Sequence, residues 1–306
     1  KTFPQLAKSI KNPSGKVTAT AKISDKLDVD GKITSERLSV SGFTLTNLSA
    51  NLDYDHENSY VDGKIKSDKF SAMGYNLAGI VADVNYDIKK NYAEGKITSS
   101  KLSGANANLE NLLANVKYDG KNNYAELEKF RVNSGKGTIT ASGNANLKDT
   151  AFAFKADVQN FEPKVFPFTK DVIGVYNLTA QGSGRYNDIN SIKLNANLNA
   201  KNVGYSGMTL GNLDMPVNFA NSIVNIPGAK ASLPGGSLNF KGNINIKNAS
   251  NPNLDILAST QGLNLAEIMK HFNVQNASMP ISGRVKGNIS VKGPLNTANV
   301  SSNCCR

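Results

Sequence analysis

Apolar and polar residues alternate with a period of two along most of this 306-residue chain. Leu48, Ala50, Leu52 and Tyr54 share one parity, with Ser49, Asn51 and Asp53 between them. The pattern recurs through Ile80, Ala82, Val84 and Tyr86, and through Leu112, Ala114, Val116 and Tyr118. Val17, Ala19, Ala21 and Ile23 precede these rows, and Ile139, Ala141, Gly143, Ala145 and Leu147 follow them. Phe152, Phe154, Ala156 and Val158 come next, then Ile192, Leu194, Ala196, Leu198 and Ala200 with Lys193, Asn195, Asn197 and Asn199 opposite. Leu238, Phe240, Gly242, Ile244 and Ile246 form a last row. Each row predicts a strand with one apolar face, and their spacing gives roughly 18–20 strands in all.

Part of this pattern is a tandem repeat. Residues 29–60 (VDGKITSERLSVSGFTLTNLSANLDYDHENSY), 61–92 and 93–124 align without a gap at a period of about 32 residues. Gly31, Gly63 and Gly95 coincide, as do Ile33, Ile65 and Ile97, and Tyr54, Tyr86 and Tyr118. The closing Tyr60, Tyr92 and Tyr124 also align, after the polar turns DHENS, DIKKN and DGKNN. No proline occurs between Pro13 and Pro163, as uninterrupted sheet requires. Over 150–306 the repetition is longer and degenerate, with NLTAQGSG at 177–184 answering NISVKGP at 288–294. Leu265, Ile268, Met269 and Phe272 at helical spacing behind an Asn264 cap predict a helix over 264–273. A weaker helix or irregular plug, broken by Pro163 and Pro167, is expected over 161–175. Residues 1–306 read as one continuous β-sheet fragment of a longer protein.

Composition changes the picture in one respect. Apolar residues make up 39% and aromatics 7%, with no Trp, which is little material for filling a compact core. Many positions on the apolar parity are Ala or Gly. If two such faces met in a sandwich, or one closed into a barrel or solid solenoid, large partners would be needed to fill the space. If the sheet curls into an open trough, the small residues leave room for a guest. Such a trough would be lined by the rows above, from Val17 to Ile244. A guest with two sixteen-carbon chains would be relieved of on the order of 25 kcal/mol of hydration penalty, at ~0.8 kcal/mol per methylene.

The net charge is +11, but lysines such as Lys193, Lys241 and Lys247 are spread singly. That distribution suits a solvated face that discourages edge-to-edge pairing, with a general preference for anionic lipid surfaces, and offers no nucleic-acid patch. Cys304 and Cys305 read as irrelevant to the fold. His56 and His271 stand alone, and Asp53, Asp83 and Glu110 fall on the polar face or in turns. There is no GxSxG elbow and no glycine-rich phosphate loop. No catalytic residue, metal ligand or cofactor is expected. The aligned tyrosines fit either a groove rim that meets lipid headgroups or a simple closure of the sheet.

The glycine-punctuated amphipathic strands of 127–149 (LEKFRVNSGKGTITASGNANLKD), 231–247 (ASLPGGSLNFKGNINIK) and 280–300 (PISGRVKGNISVKGPLNTANV) resemble the TamB and AsmA-like family. The resemblance extends over nearly the whole chain and rests on the ensemble of strands. It implies an all-β fold, an antiparallel sheet curled into an open, taco-like groove with a hydrophobic interior. It also implies phospholipid as the guest, carried across the periplasm between the inner and outer membranes of a diderm bacterium. An outer-membrane barrel of the TamA type would be the partner, and an inner-membrane anchor would lie outside this stretch. The other functions in view are a scaffold for assembling outer-membrane β-barrels and a structural β-solenoid.

Overall fold

A computed structural model describes residues 14–40, 42–104, 107–163, 171–205, 208–271 and 283–305. The fold is all-β, with eighteen strands whose described neighbours are all antiparallel. Two compact units divide near Lys148. The first holds β1 (Thr18–Ile23), β2 (Val29–Val40), β3 (Phe43–Asp55), β4 (Tyr60–Ala72), β5 (Tyr75–Asp87), β6 (Tyr92–Gly104), β7 (Ala107–Asp119), β8 (Tyr124–Ser134) and β9 (Gly137–Asn146). The second holds β10 (Ala151–Phe161), β11 (Val172–Arg185), β12 (Asp188–Tyr205), β13 (Met208–Ala220), β14 (Ile223–Leu233) and β15 (Gly236–Asn245). It continues through β16 (Asn253–Asn264), helix α1 (Leu265–His271), β17 (Arg284–Pro294) and β18 (Asn299–Cys305). Within each unit every strand pairs with the next in the chain, and neither meander closes into a barrel. The described strands therefore do not form a β-solenoid of stacked parallel coils.

Each sequence repeat is one hairpin: β2–β3, β4–β5 and β6–β7. The long strands do not run straight. Asn47, Gly79 and Asn111, one per repeat, take left-handed φ of 51°, 58° and 54° in mid-strand. The strand bends there and its alternation changes parity, while the register with its hairpin partner is the same on both sides of the bend. In β7, Leu109 and Leu112, three residues apart across the bend, are buried in one cluster. We call the half ending at the tyrosine turns the tyrosine arm, and the half ending at the tight turns the glycine arm.

A buried serine on the following strand closes the bends at Asn47 and Gly79, and a third, Ser35, makes the same kind of bond toward the segment before β1. The Ser67 hydroxyl is shared between the carbonyl oxygens of Thr46, at 2.7 Å, and Lys69, at 3.0 Å. Ser99 does the same with Ala78, at 2.6 Å, and Lys101, at 3.0 Å, and Ser35 donates to Lys16 O at 2.8 Å. Ser67→Ala leaves buried carbonyls unsatisfied and is expected to cost about 1–2 kcal/mol, read as a lower urea midpoint. Ser100→Ala, whose hydroxyl is exposed, should leave that midpoint nearly unchanged.

The second unit bends by related means. Asn160 and Asn202 are left-handed, at φ 50° and 51°, and their N–H groups donate to the side chains of Asn177 and Asn212. Pro216 falls where the β13–β14 register breaks, between Asp214 and Asn218, and Pro227 where the β14–β15 register breaks, between Ile226 and Ala229.

Three expectations need correction or limits. Phe161 ends β10 and Val172–Val175 belong to β11, so the ends of 161–175 are strand rather than helix; 164–170 lie outside the described residues. The predicted helix at 264–273 forms over Leu265–His271, with Asn264 Oδ1 accepting from the N–H groups of Ala266 and Glu267; 272–273 lie outside the described residues. Cys304 and Cys305 sit in β18, opposite Gly287 and Lys286, and so are part of the sheet.

The tyrosine turns share a device too. Asp55 Oδ1 accepts from Asn58 N, Asp87 Oδ1 from Lys90 N and Asp119 Oδ1 from Asn122 N, at 2.8, 2.8 and 3.1 Å. These bonds hold the carboxyls below the usual range: the Asn58 backbone bond leads for Asp55, the Lys90 side chain for Asp87 and the Asn122 side chain for Asp119. A lowered folded-state pKa adds stability above the unfolded value and loses it as pH falls through the folded one. The protection of the Asn58, Lys90 and Asn122 amides, taken relative to the intrinsic exchange rate at each pH, should therefore fall on acidification below about pH 4.

Candidate functional site

In the first unit the register lines up apolar residues in rows that cross strand after strand. One tyrosine-arm row reads Ala19, Ile33, Ala50, Ile65, Ala82, Ile97, Ala114, Phe130, Ala141 from β1 to β9. The next, toward the rim, reads Ala21, Gly31, Leu52, Gly63, Val84, Gly95, Val116, Leu127, Gly143. From β2 to β7 large and small residues alternate in both rows, with opposite phase. The large side chains therefore lean over the small positions. A Cβ on Gly63 would lie 3.1 Å from Leu52 Cδ2, and one on Gly95 3.6 and 3.8 Å from Val84 and Val116. At Gly63 and Gly95 the neighbouring side chains thus reach over the small position, and one layer of side chains packs sideways along the face.

The glycine arm supplies a row that sequence reasoning missed: Leu38, Leu45, Phe70, Leu77, Leu102 and Leu109. It meets the tyrosine arm at the bend, where Leu109, Leu112 and Val132 are buried against Leu77, Leu102, Phe130 and Ile139. Burial falls from bend to rim. Along β7, Leu112 is 9% exposed, Ala114 and Val116 are half-buried, and Tyr118 reaches 38%. Leu48, Ala50 and Ala82 are likewise buried near the bend, whereas Ile80, Leu52 and Val84 are half-buried, as are Ile139 and Ala141 in β9. Val17, just before β1, and Ala19, Ala21 and Ile23 share the face but are exposed.

The second unit repeats the arrangement. Phe154, Gly182, Leu194, Phe219, Val224, Ile244 and Leu254 form one continuous row. A Cβ on Gly182 would lie 2.9 Å from Phe154 and 3.3 Å from Leu194. Phe152 stacks on Phe154 with ring centroids 6.2 Å apart. Phe152, Ile192, Ala196, Leu198, Leu238 and Phe240 are half-buried, while Ala200, Ile226 and Ala229 are buried.

The opposite face is polar and mixed in sign. A hollow of about 690 Å³ on it is lined by Lys22, Lys32 and Lys64 together with Asp30, Asp53, Asp62 and Asp83. Lys64 lies 3.5 Å from Asp83, and the interleaving cancels any single-sign field. Lys117 pairs with Glu128 on the same sheet. The basic net charge thus makes no patch here. Tyr54, Tyr86 and Tyr118 stand on the apolar face at its rim, while Tyr60 and Tyr92 alternate with Asp55, Asp87 and Asp119 on the other face. His56 Nδ1 sits 3.4 Å from the Tyr54 hydroxyl. Among the described residues no three His, Cys, Asp or Glu side chains converge to hold a metal, and no helix is long and apolar enough to cross a membrane. Neither a protein-family model nor a curated protein nor a solved structure matches the chain.

Proposed function

We propose that the apolar faces carry the acyl chains of phospholipid, and that this chain is part of a lipid-transport module of a bacterial cell envelope. The observation behind this reading is the uninterrupted apolar row. Leu52, Val84 and Val116 in the first unit and Leu194 in the second are flanked by neighbours of their own sheet and left half-exposed above. Leaving such surface to water costs about 25 cal/mol per Å², which an acyl chain relieves along its whole length. Successive positions are alike, so a chain laid along a row gains nothing by stopping, which suits movement better than storage. The tyrosines at the rim stand where headgroups would meet water. The resemblance to TamB and AsmA-like proteins adds the periplasm as the setting and a TamA-type barrel as a partner reached through other parts of the protein.

Protein purified without detergent is expected to yield phospholipid on solvent extraction and mass spectrometry. Lipid-free protein with an intact β-sheet circular dichroism spectrum would overturn the reading. Photo-crosslinks from position 84 to outer-membrane barrel precursors, in place of lipid, would favour the assembly scaffold instead.

A further inference from the structure

The two rims of the first unit differ in charge. Along the tyrosine rim the turns DHENS, DIKKN and DGKNN each carry charged residues. Along the glycine rim the three repeat hairpins carry none: no Asp, Glu, Lys or Arg occurs over 38–52, 70–82 or 102–109, and Lys136 in the β8–β9 turn is the charge that follows them. The three glycine-arm hairpins fall inside those stretches, joining Val40 to Phe43, Ala72 to Tyr75 and Gly104 to Ala107.

The middle hairpin breaks a local rule. Met73 and Gly74 occupy its two turn positions with φ of 50° and 82°, the geometry that suits Asn or Asp followed by Gly. A methionine there carries the steric cost of a left-handed L-residue, and it repays nothing in packing, because Met73 is 86% exposed. Tyr75 and Phe43, the first residues of β5 and β3, are 50% and 41% exposed beside it. Large apolar side chains at uncharged hairpin tips, with aromatics one step behind, suit the boundary between headgroups and acyl chains. The charged tyrosine rim does not.

We infer that the glycine rim of the first unit rests on a phospholipid surface, with Met73 entering the interfacial layer. This contact stands apart from acyl-chain binding on the apolar face, and either can fail without the other. The chain contains no Trp, so one introduced indole reports its own surroundings. Met73→Trp should shift its emission to the blue on adding phosphatidylethanolamine–phosphatidylglycerol vesicles and be quenched by brominated acyl chains. Lys90→Trp, in a turn of the opposite rim, should do neither. Met73→Glu should lower vesicle flotation about tenfold, the worth of one buried apolar side chain, while Leu52→Glu, which tests the acyl-chain reading, should leave it unchanged. An unshifted Met73→Trp, an equal shift at position 90, or a Met73→Glu change that alters self-association and not flotation would overturn the inference.

Discussion

Glutamate at Leu52 or Val84 is expected to abolish lipid retention while leaving the sheet folded. Both side chains sit between bend and rim on the first unit's apolar face, half-exposed, with glycines opposite on the adjacent strands at Gly31, Gly63 and Gly95. A carboxylate there can reach water when the face is empty, so folding loses little. Against an acyl chain it must be desolvated or the chain displaced, at roughly 2.5–3.5 kcal/mol by membrane-insertion scales, or about a hundredfold in affinity. Leu194→Glu asks the same of the second unit, and the two units' lipid yields should fall independently. Val132→Glu is the contrast: at 1% exposure the carboxylate has no route to water, and that variant should unfold the first unit. Lipid yield unchanged in Leu52→Glu, Val84→Glu and Leu194→Glu alike would rule out the apolar faces as the binding surface.

Much of this architecture is legible in the sequence. Period-two alternation gives the strands, and the repeat gives the hairpins, because each unit of about 32 residues is two strands and two turns. The tyrosine-arm rows follow because parity is preserved from Leu48 to Tyr54. The glycine-arm row from Leu38 to Leu109 does not, because both strands of each hairpin break their alternation at the level of the left-handed residue Asn47, Gly79 or Asn111. The available signal is the alignment of these three residues inside otherwise regular strands. A second difficulty is physical. Alanine and glycine on an apolar face read as missing volume, yet whether a small residue leaves a hole depends on its cross-strand neighbours. Gly63 is covered by Leu52, which lies 11 residues earlier in the chain but directly opposite it in the ladder. Periodicity within one strand carries no information about that phase.

Two kinds of glycine shape the sheet in different ways. Gly63 faces the apolar side with a φ that any residue can adopt, and the nearest obstacle to a Cβ is the movable end of Leu52 at 3.1 Å. Gly63→Ala should change stability by no more than about 0.5 kcal/mol, since reduced freedom of the unfolded chain offsets the small adjustment of Leu52. Gly211 in β13 is different. Its φ is +123°, and a Cβ would overlap the carbonyl oxygen of Ser232 in β14, which is backbone and cannot swing aside. Asn212 pairs with Ser232 at this point, so relieving the overlap means parting the two strands at the bend. Gly211→Ala should therefore cost on the order of 3–5 kcal/mol, combining left-handed strain with broken ladder bonds. Urea denaturation followed by amide exchange reads both outcomes: Gly211→Ala should lose protection along β13 and β14 while the first unit keeps its own. Equal effects of the two substitutions would mean that glycine's smallness, rather than its backbone freedom, shapes the sheet. The single-layer packing argued for the apolar face requires the opposite: small residues there are set by their neighbours' side chains, and those at the bends by the path of the chain.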